Sequence, residues 1–552
     1  MTRRAGRGWF VPLAALLLPI VLSGLHAEAP RPLAPVPAPA RTTPAEDPSG
    51  NIRTEPLPEP SLATLGLEHP VFGFDQALWR DADGARLRAL IAALEGLPPV
   101  PELRQLARRL LVAPGPAVAD GRALLEARAR ALLRLGFARD AADLLALAAE
   151  RQEGARDLRL ELEALLRAGR FDRACTAARH LRDRPAERSA LRAACLRFEG
   201  RLAQARLQLD LAIERDLRLD DAAAAFLRAV ADGAPVPLPP VGSPARLAGL
   251  LAAAAFPVAM ERIEGEIALD GALLAALARN SGLAPERRLE AAERALLRGM
   301  ISLGELRELY LELGSGAKTV EKPGPARTRA RLFAALHAEK DVAARAGLLV
   351  EAMKAQPAGI ERYLWLRLLA SEAEAIPSDP ALLWAFEPVS LALAAAGKRE
   401  RLRRWLALAG AQRKEEPERA QARARVAALE QLLDGRVAES QPGRPARLGE
   451  YALALRLGLG LEVPTGELAA AIAWPTGRPA PPPRLALWWL AREGEAAERP
   501  GEALLATLAL LGPDIESISP PLLVETLLRL RRFGEVEAAR SLAMAVALAL
   551  RL

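Results

Sequence analysis

From about Phe72 onward the chain alternates apolar-periodic segments of about 11–16 residues with short breaks rich in proline and glycine. Within the segments, apolar residues recur at spacings of three and four, which is typical of amphipathic helices. The breaks combine residues that interrupt helices over several positions. The pattern predicts an all-α chain, well over half helical, with almost no strand.

The helical pattern becomes a repeat between Gly121 and Asp216. Gly136, Gly169 and Gly200 each lie between two apolar-periodic segments, at spacings of about 33 and 31 residues, the period of a helix-hairpin array. Alanine follows five residues after each glycine, and small side chains there let two helices approach closely. We therefore predict that the following residues pack the helix pairs: Gly136, Ala141, Gly169, Phe171, Ala174, Gly200 and Ala205. Leu202, which corresponds to Phe171, is expected to fill the same interface.

The segment Gly169-Arg170-Phe171-Asp172-Arg173-Ala174 and its two neighbours resemble tetratricopeptide repeats. The sequence departs from that family in having leucine, as at Leu158 and Leu165, in place of large aromatic residues in the first helix. The closing proline is missing or displaced, as at Pro185. The resemblance implies antiparallel helix hairpins stacked as a right-handed α-solenoid, with a concave groove that binds peptides or proteins. It implies no chemistry.

Shifts in composition and the Pro/Gly breaks divide the chain into segments. The predicted organisation is a signal peptide at 1–27, a Pro/Ala-rich disordered linker at 28–65, an N-terminal helical repeat block at 66–240 with TPR-like units at 121–216, a middle helical block at 241–440, and C-terminal helical hairpins at 441–552.

Residues 1–27 have the layout of a secretory signal peptide. Arg3, Arg4 and Arg7 precede an apolar run over 9–25, and cleavage after Ala27 fits the pattern. The alternative is an uncleaved membrane anchor, for which the run is slightly short. We expect a periplasmic or secreted protein, with no stable membrane span unless the signal peptide is retained.

The charge of the chain is positive but small once the leader is set aside. The net charge is +7 at pH 7, and without the three arginines of the leader 72 basic residues face 68 acidic ones. These charges alternate in sign along the helices, as at Glu361-Arg362, which is typical of a solvated helix face. We therefore expect no nucleic-acid partner.

Cys175 and Cys195 are the only cysteines. They fall in the second helix of one predicted repeat and the first helix of the next, which should be neighbours. In an oxidising compartment a disulfide closing this loop of about 20 residues would contribute about 3 kcal/mol. The alternative is a pair of buried free thiols that act as small apolar residues.

Other candidate chemistry is weak. Lys318 follows a glycine-containing loop, but Ala317 replaces the glycine that a phosphate-binding loop needs before its lysine. The four histidines are scattered, without the paired spacing of metal ligands: His26, His69, His180 and His337. We expect no metal, no cofactor and no enzymatic activity.

Six of the eight tryptophans follow residue 360, and they could line a groove or fill a core. Their helical spacing favours the core. These residues are Trp365, Trp384, Trp405, Trp474, Trp488 and Trp489.

The leading functional hypothesis is an exported, non-enzymatic scaffold or adaptor that binds a protein or peptide partner in the cell envelope. The alternative is a peptidoglycan-associated protein, because the Ala/Leu/Arg-rich helices are broadly similar to the superhelix of soluble lytic transglycosylases. That family adds a catalytic domain with a glutamate in a Glu-Ser motif. The dipeptide occurs here at Glu439-Ser440 and Glu516-Ser517, but each lies beside prolines in a break between helices. The resemblance therefore favours a non-catalytic relative.

Overall fold

In the computed structural model, the chain is described at residues 62–67, 76–79, 81–94, 96–118, 120–151, 157–215, 217, 219–240, 242–259, 270–315, 324–411, 417–434, 446–463, 465, 468 and 484–552. The predicted signal peptide at 1–27 and nearly all of the predicted linker at 28–65 lie outside the described residues. Residues 59–552 form one compact unit, and the description below concerns that unit alone.

The described residues form 24 α-helices and four short 3-10 helices. The α-helices are α1 (Gly84–Ala93), α2 (Pro101–Val112), α3 (Gly121–Arg134), α4 (Ala138–Arg151), α5 (Leu158–Arg167), α6 (Phe171–Ala178), α7 (Pro185–Phe198), α8 (Leu202–Glu214), α9 (Asp221–Ala231), α10 (Arg246–Ala255), α11 (Gly271–Arg279), α12 (Pro285–Leu297), α13 (Leu303–Ser315), α14 (Pro325–Ala338), α15 (Val342–Lys354), α16 (Gly359–Glu374), α17 (Phe386–Ala395), α18 (Arg399–Gly410), α19 (Pro417–Asp434), α20 (Ala446–Gly458), α21 (Leu485–Ala496), α22 (Pro500–Leu511), α23 (Pro520–Arg532) and α24 (Val536–Ala549). The 3-10 helices are Leu62–Thr64, Gln76–Trp79, Pro380–Ala385 and Ile515–Ser517.

The predicted all-α class is confirmed for this part of the chain. The β-structure found within it is one isolated parallel bridge between Val236 and Val258. Val236 lies in the proline-rich stretch 235–240, at the end of the predicted N-terminal helical repeat block. The stacking of the hairpins as a right-handed solenoid stays a prediction.

Local sequence explains where the repeat helices begin and end. The Asp120 side chain accepts a hydrogen bond from the Ala123 amide and caps α3, and Asp157 does the same for α5 through Leu160. Between α3 and α4 the chain turns at Gly136, whose φ of +84° favours glycine. The breaks at Gly169 and Gly200 repeat this geometry, with φ of +75° and +77°.

The repeat positions pack as closely as their small side chains allow. Ala141, Ala174 and Ala205 are fully buried between the paired helices. Phe171 packs edge-on against Phe198, with ring centroids 5.7 Å apart. Leu202 departs from the expected role, because its side chain is 44% exposed. The reason is that α8 packs mainly on α7 and α9, so one side of it faces solvent.

The last helix, α24, lies at the centre of the unit rather than at its edge. Every residue from Leu542 to Ala549 is buried, as expected for a helix that is apolar all round. It packs against α2, α16, α17, α19 and α23. The second helix of the chain, α2, also contacts this region. Its Arg109 forms an ion pair at 2.5 Å with Glu535, which lies just before α24. The three predicted helical blocks therefore share one compact unit, and their boundaries at 240 and 440 stay predictions.

Several arginines are buried and bind backbone carbonyl groups, which differs from the solvated faces that the charge pattern predicts. Arg128 donates to the carbonyls of Ala63, Leu65, Leu111 and Ala113. Burial lowers its pKa to about 10, so it remains a cation at neutral pH. Arg104 is also buried and donates to the carbonyl of Gly299. Three arginines that are less buried likewise donate to carbonyls at the C-terminal ends of neighbouring helices: Arg134, Arg167 and Arg197. The alternation of charge misses them because their partners are backbone groups.

Candidate binding site

The structure joins Cys175 of α6 and Cys195 of α7 in a disulfide, with their α-carbons 5.5 Å apart. Both side chains are buried among the repeat helices. The bond holds the short α6 against α7 across the loop that contains Arg184, which has a left-handed φ of +55°. It is part of the repeat core and leaves no free thiol in the chain for other chemistry.

A group of polar side chains lies where α12, α13, α14 and α16 meet. It was not predicted from the sequence. We call this the four-helix junction. On α16 a single face carries Glu361, Trp365, Leu368 and Glu372, at spacings of four, three and four residues. The facing side of α14 carries Arg329, Phe333 and His337 at spacings of four. These spacings were a usable signal in the sequence, but they do not reveal which helices face each other.

Three aromatic rings fill the centre of the four-helix junction. Tyr310 of α13 packs edge-on against Phe333, with ring centroids 6.0 Å apart, and against Trp365, at 6.1 Å. The Trp365 indole N–H donates to the carbonyl of Ala352 at 3.0 Å. All three rings are buried, and the polar groups of the junction lie at its two ends.

The prediction that tryptophans belong to the core is confirmed for Trp365 and Trp405. It is wrong for Trp384 and Trp489, which are 51% and 61% exposed. Trp489 lies on a side of α21 where Leu485 is also exposed, so helical spacing there reflects a surface and not a core. Trp474 lies outside the described residues.

At one end of the junction, Glu293 of α12 is held by two donors. The Tyr310 hydroxyl donates to it, and so does the guanidinium of Arg329, whose Nε lies 2.9 Å from Glu293 Oε1. Burial, the charge of Glu293 and this hydrogen bond raise the pKa of Tyr310 well above its ordinary value. Burial acts to lower the pKa of Arg329, but hydrogen bonds to Glu293 and its charge outweigh that and raise it. Arg329 is therefore charged at neutral pH, and Tyr310 is neutral.

A cavity of about 40 Å³ opens beside this ion pair, and we call it the Glu361 cavity. It is lined by Glu293, Leu296, Leu297, Leu306, Tyr310, Arg329, Pro357, Glu361, Leu364, Trp365 and Leu368. Glu361 lies at its exposed rim, and its carboxylate has no hydrogen bond or ion pair with the residues that the structure describes. Partial desolvation, and then the charge of Glu293, raise the pKa of Glu361, with Arg329 opposing. With Glu293, Arg329 and Glu361 ionised, the cavity carries one uncompensated negative charge.

The other end of the junction carries a histidine–carboxylate pair. His337 Nδ1 lies 2.9 Å from Oε1 of the buried Glu372, and Arg307 approaches the same oxygen at 3.6 Å. A carboxylate that orients a histidine in this way is also used in general-base catalysis. The nearby Ser371 hydroxyl, however, donates to Glu372 at 3.3 Å rather than to His337. These side chains therefore do not assemble a Ser–His–Glu triad.

A larger cleft of about 820 Å³ lies near the disulfide, between the start of α5 and the α6–α7 loop. Charged side chains of both signs dominate its lining, and one pair of them, Arg159 and Glu187, lies 3.0 Å apart. Binding sites for organic groups are more often apolar, with a few directed polar groups. The Glu361 cavity fits that description better.

Within the described residues, no group of three or more His, Cys, Asp or Glu side chains is placed to hold a metal ion. None of the described helices has both the length and the apolar character needed to span a membrane.

Comparison of the chain with protein-family models, curated proteins and solved structures found no significant match.

Proposed function

We propose that the protein is an exported helical scaffold or adaptor that binds a protein or peptide partner in the cell envelope. The proposal rests on the Glu361 cavity, which combines leucine walls, the edge of an aromatic cluster and a rim carboxylate that no described residue pairs. Apolar cavities with a few directed polar groups are the usual form of a binding site.

The size of the cavity favours a polypeptide partner over a free metabolite. Sites for small organic molecules enclose roughly 300–1,000 Å³. The Glu361 cavity, at about 40 Å³, accommodates one small chemical group. A partner that places one group there must gain the rest of its binding energy from the surrounding surface, as the anchor residues of protein interfaces do.

Two features support export. Residues 1–27 have the order of charged, apolar and small residues that a secretory signal peptide has. The Cys175–Cys195 disulfide is of a kind that persists in oxidising compartments and is rare in the reducing cytosol.

The partner hypothesis is tested by site-specific photo-crosslinking in intact cells of the native host. A benzophenone amino acid replaces Leu297, which lines the Glu361 cavity and is partly exposed. The control position is Leu207, which is 53% exposed on α8 and does not line the cavity. We expect a discrete crosslinked product from position 297 in the periplasmic fraction, with none of the same mass from position 207. Identical products at both positions, or no product at 297, would count against the proposal.

The same cells test export and the peptidoglycan alternative. We expect the N-terminus of the mature protein to begin at Glu28; retention of the leader would instead indicate an anchor. Co-sedimentation with purified sacculi, together with no crosslinked protein, would favour the peptidoglycan-associated role over the adaptor role.

A further inference from the structure

We infer that the Glu361 cavity receives the ammonium group of a lysine side chain supplied by the partner. The inference rests on the proposed function and specifies the chemistry of the group that anchors the partner.

Charge indicates a cation. Glu293 is already neutralised by Arg329 and held by the Tyr310 hydroxyl. Glu361 is the carboxylate left over, and no described residue supplies its counter-ion. A cation placed between Glu361 and Glu293 would bring the formal charge of the cavity to zero.

Size and shape indicate an ammonium rather than a guanidinium group. An ammonium is a compact charge with three donors, whereas the planar guanidinium is larger and prefers a carboxylate open to two parallel hydrogen bonds. In this cavity Arg329 already holds Glu293 in that manner. A volume of about 40 Å³ leaves space for the smaller group.

The apolar walls of the Glu361 cavity indicate that the bound ammonium group is carried on an aliphatic chain. Leu296, Leu364 and Leu368 line the cavity, so that a group entering past Glu361 runs along hydrocarbon. Lysine buries its methylene chain on such surfaces while its charged end meets a polar group. The positive charge of a bound cation would favour the ionised carboxylate and so offset the desolvation that raises the pKa of Glu361.

The test uses three capped amino acids as probes of the purified full-length protein: Nα-acetyl-lysine N-methylamide, and the corresponding norleucine and arginine compounds. Binding is followed by saturation-transfer NMR of the probe signals. We expect millimolar binding of the lysine probe, with saturation strongest on the methylene groups nearest the ammonium. We expect no binding of norleucine, which is neutral, and weaker binding of arginine.

Three variants locate the site. Glu361→Gln should weaken lysine binding by about tenfold or more, because it removes a charge-assisted hydrogen bond. Glu361→Asp keeps the charge and should retain part of the affinity. Glu308→Gln is the matched control, since Glu308 is an exposed glutamate on α13 that does not line the cavity, and its affinity should be unchanged. Equal binding of lysine and norleucine, or equal affinity in Glu361→Gln and Glu308→Gln, overturns the inference.

The outcomes separate this inference from the proposed function. A crosslinked partner at position 297 without lysine binding overturns the inference, while the adaptor role is still supported. Lysine binding that depends on Glu361, without any crosslinked partner, supports the amine site and counts against the adaptor role.

Discussion

The first repeat glycine, Gly136, lies directly against the carbonyl group of Gly299, which follows the end of α12. A β-carbon at Gly136 would collide with that carbonyl oxygen and stand 2.9 Å from the α-carbon of Met300. The Gly299 carbonyl also accepts a hydrogen bond from the Arg104 guanidinium at 2.6 Å. The repeat block and the middle helices are thus joined at a point where there is no room for a side chain.

This contact predicts that the repeat glycines are not equivalent. Gly136→Ala should cost about 2–4 kcal/mol, because it adds a backbone clash to the strain of a left-handed φ. Gly169→Ala should cost only about 1–2 kcal/mol, because that site has the same strain but nothing within 4 Å of the added carbon. Urea denaturation of both variants followed by circular dichroism gives the comparison. Equal losses would mean that the Gly136 contact relaxes at little cost.

The sequence predicts the local parts of this arrangement and misses the distant ones. Glycine spacing and helical periodicity locate the turn at Gly136, because both arise from neighbouring residues. The partners of that turn, Gly299 and Arg104, are far away in the chain, and no periodic pattern encodes their meeting.

The candidate binding site, the Glu361 cavity, shows the same limit. Glu361 and Glu293 look like ordinary surface glutamates in the sequence. Only the packing of α12 against α14, and of both near α16, leaves one of them paired with Arg329 and the other unpaired. The position of an isolated charge depends on these tertiary contacts, which a single sequence does not display.

The disulfide gives a second prediction. The native protein should show no reactive thiol. The double variant Cys175→Ala/Cys195→Ala should lose about 3 kcal/mol of stability, because the cross-link no longer closes a loop of about 20 residues in the unfolded chain. Thiol titration in denaturant, before and after reduction, measures the first quantity, and urea denaturation the second. Two titratable thiols in unreduced protein purified from the periplasm would instead favour the free-thiol alternative.

Arg128 gives a third prediction. Its guanidinium holds four carbonyl groups, two of them in the segment 62–67, and a lysine cannot reach all four from one ammonium. Arg128→Lys should cost about 2–4 kcal/mol, because buried carbonyls lose their donors. Amide hydrogen exchange should increase at 62–67 before it increases elsewhere. Arg122→Lys, on the exposed side of α3, is the control and should change neither quantity measurably.

Tyr363 predicts how stability changes in alkali. The Arg367 guanidinium donates to Glu102 at 2.7 and 2.8 Å and to the Tyr363 hydroxyl at 2.9 Å. Burial of Tyr363, opposed by Arg367, raises its pKa to about 12. The unfolded chain releases the hydroxyl proton of Tyr363 near pH 10. The stability that the protonated Tyr363 provides is therefore complete below about pH 10 and is lost as the pH rises through about 12.

Tyr363→Phe removes this linkage. Near pH 8 the variant should be less stable than the wild type by about 1 kcal/mol, because one hydrogen bond of Arg367 is lost. Between about pH 10 and 12 the gap should narrow, since only the wild type has a Tyr363 proton to lose. Thermal melts across this range measure the gap. A gap that stays constant would show that Tyr363 ionises as easily in the folded chain as in the unfolded one.

Glu361 gives the final prediction, because a partly desolvated carboxylate without a counter-ion lowers the stability of the folded chain. Its pKa is raised in the folded protein, so the unfolded chain gives up this proton first as the pH rises. The stability that the protonated Glu361 contributes is complete below the unfolded pKa of about 4.3. It is lost as the pH rises through the higher pKa of the folded chain. Relative to the wild type, Glu361→Gln should therefore gain stability between about pH 4 and pH 7, by a small amount because the side chain is partly exposed.

Thermal melts of the wild type, Glu361→Gln and the control Glu308→Gln at both ends of that range measure this change. The lysine probe should raise the melting temperature of the wild type at neutral pH and leave that of Glu361→Gln unchanged, because a ligand stabilises only the state that binds it. If Glu361→Gln is instead less stable than the wild type at neutral pH, the carboxylate has a partner within the folded chain. The cavity would then have no uncompensated charge with which to attract a lysine.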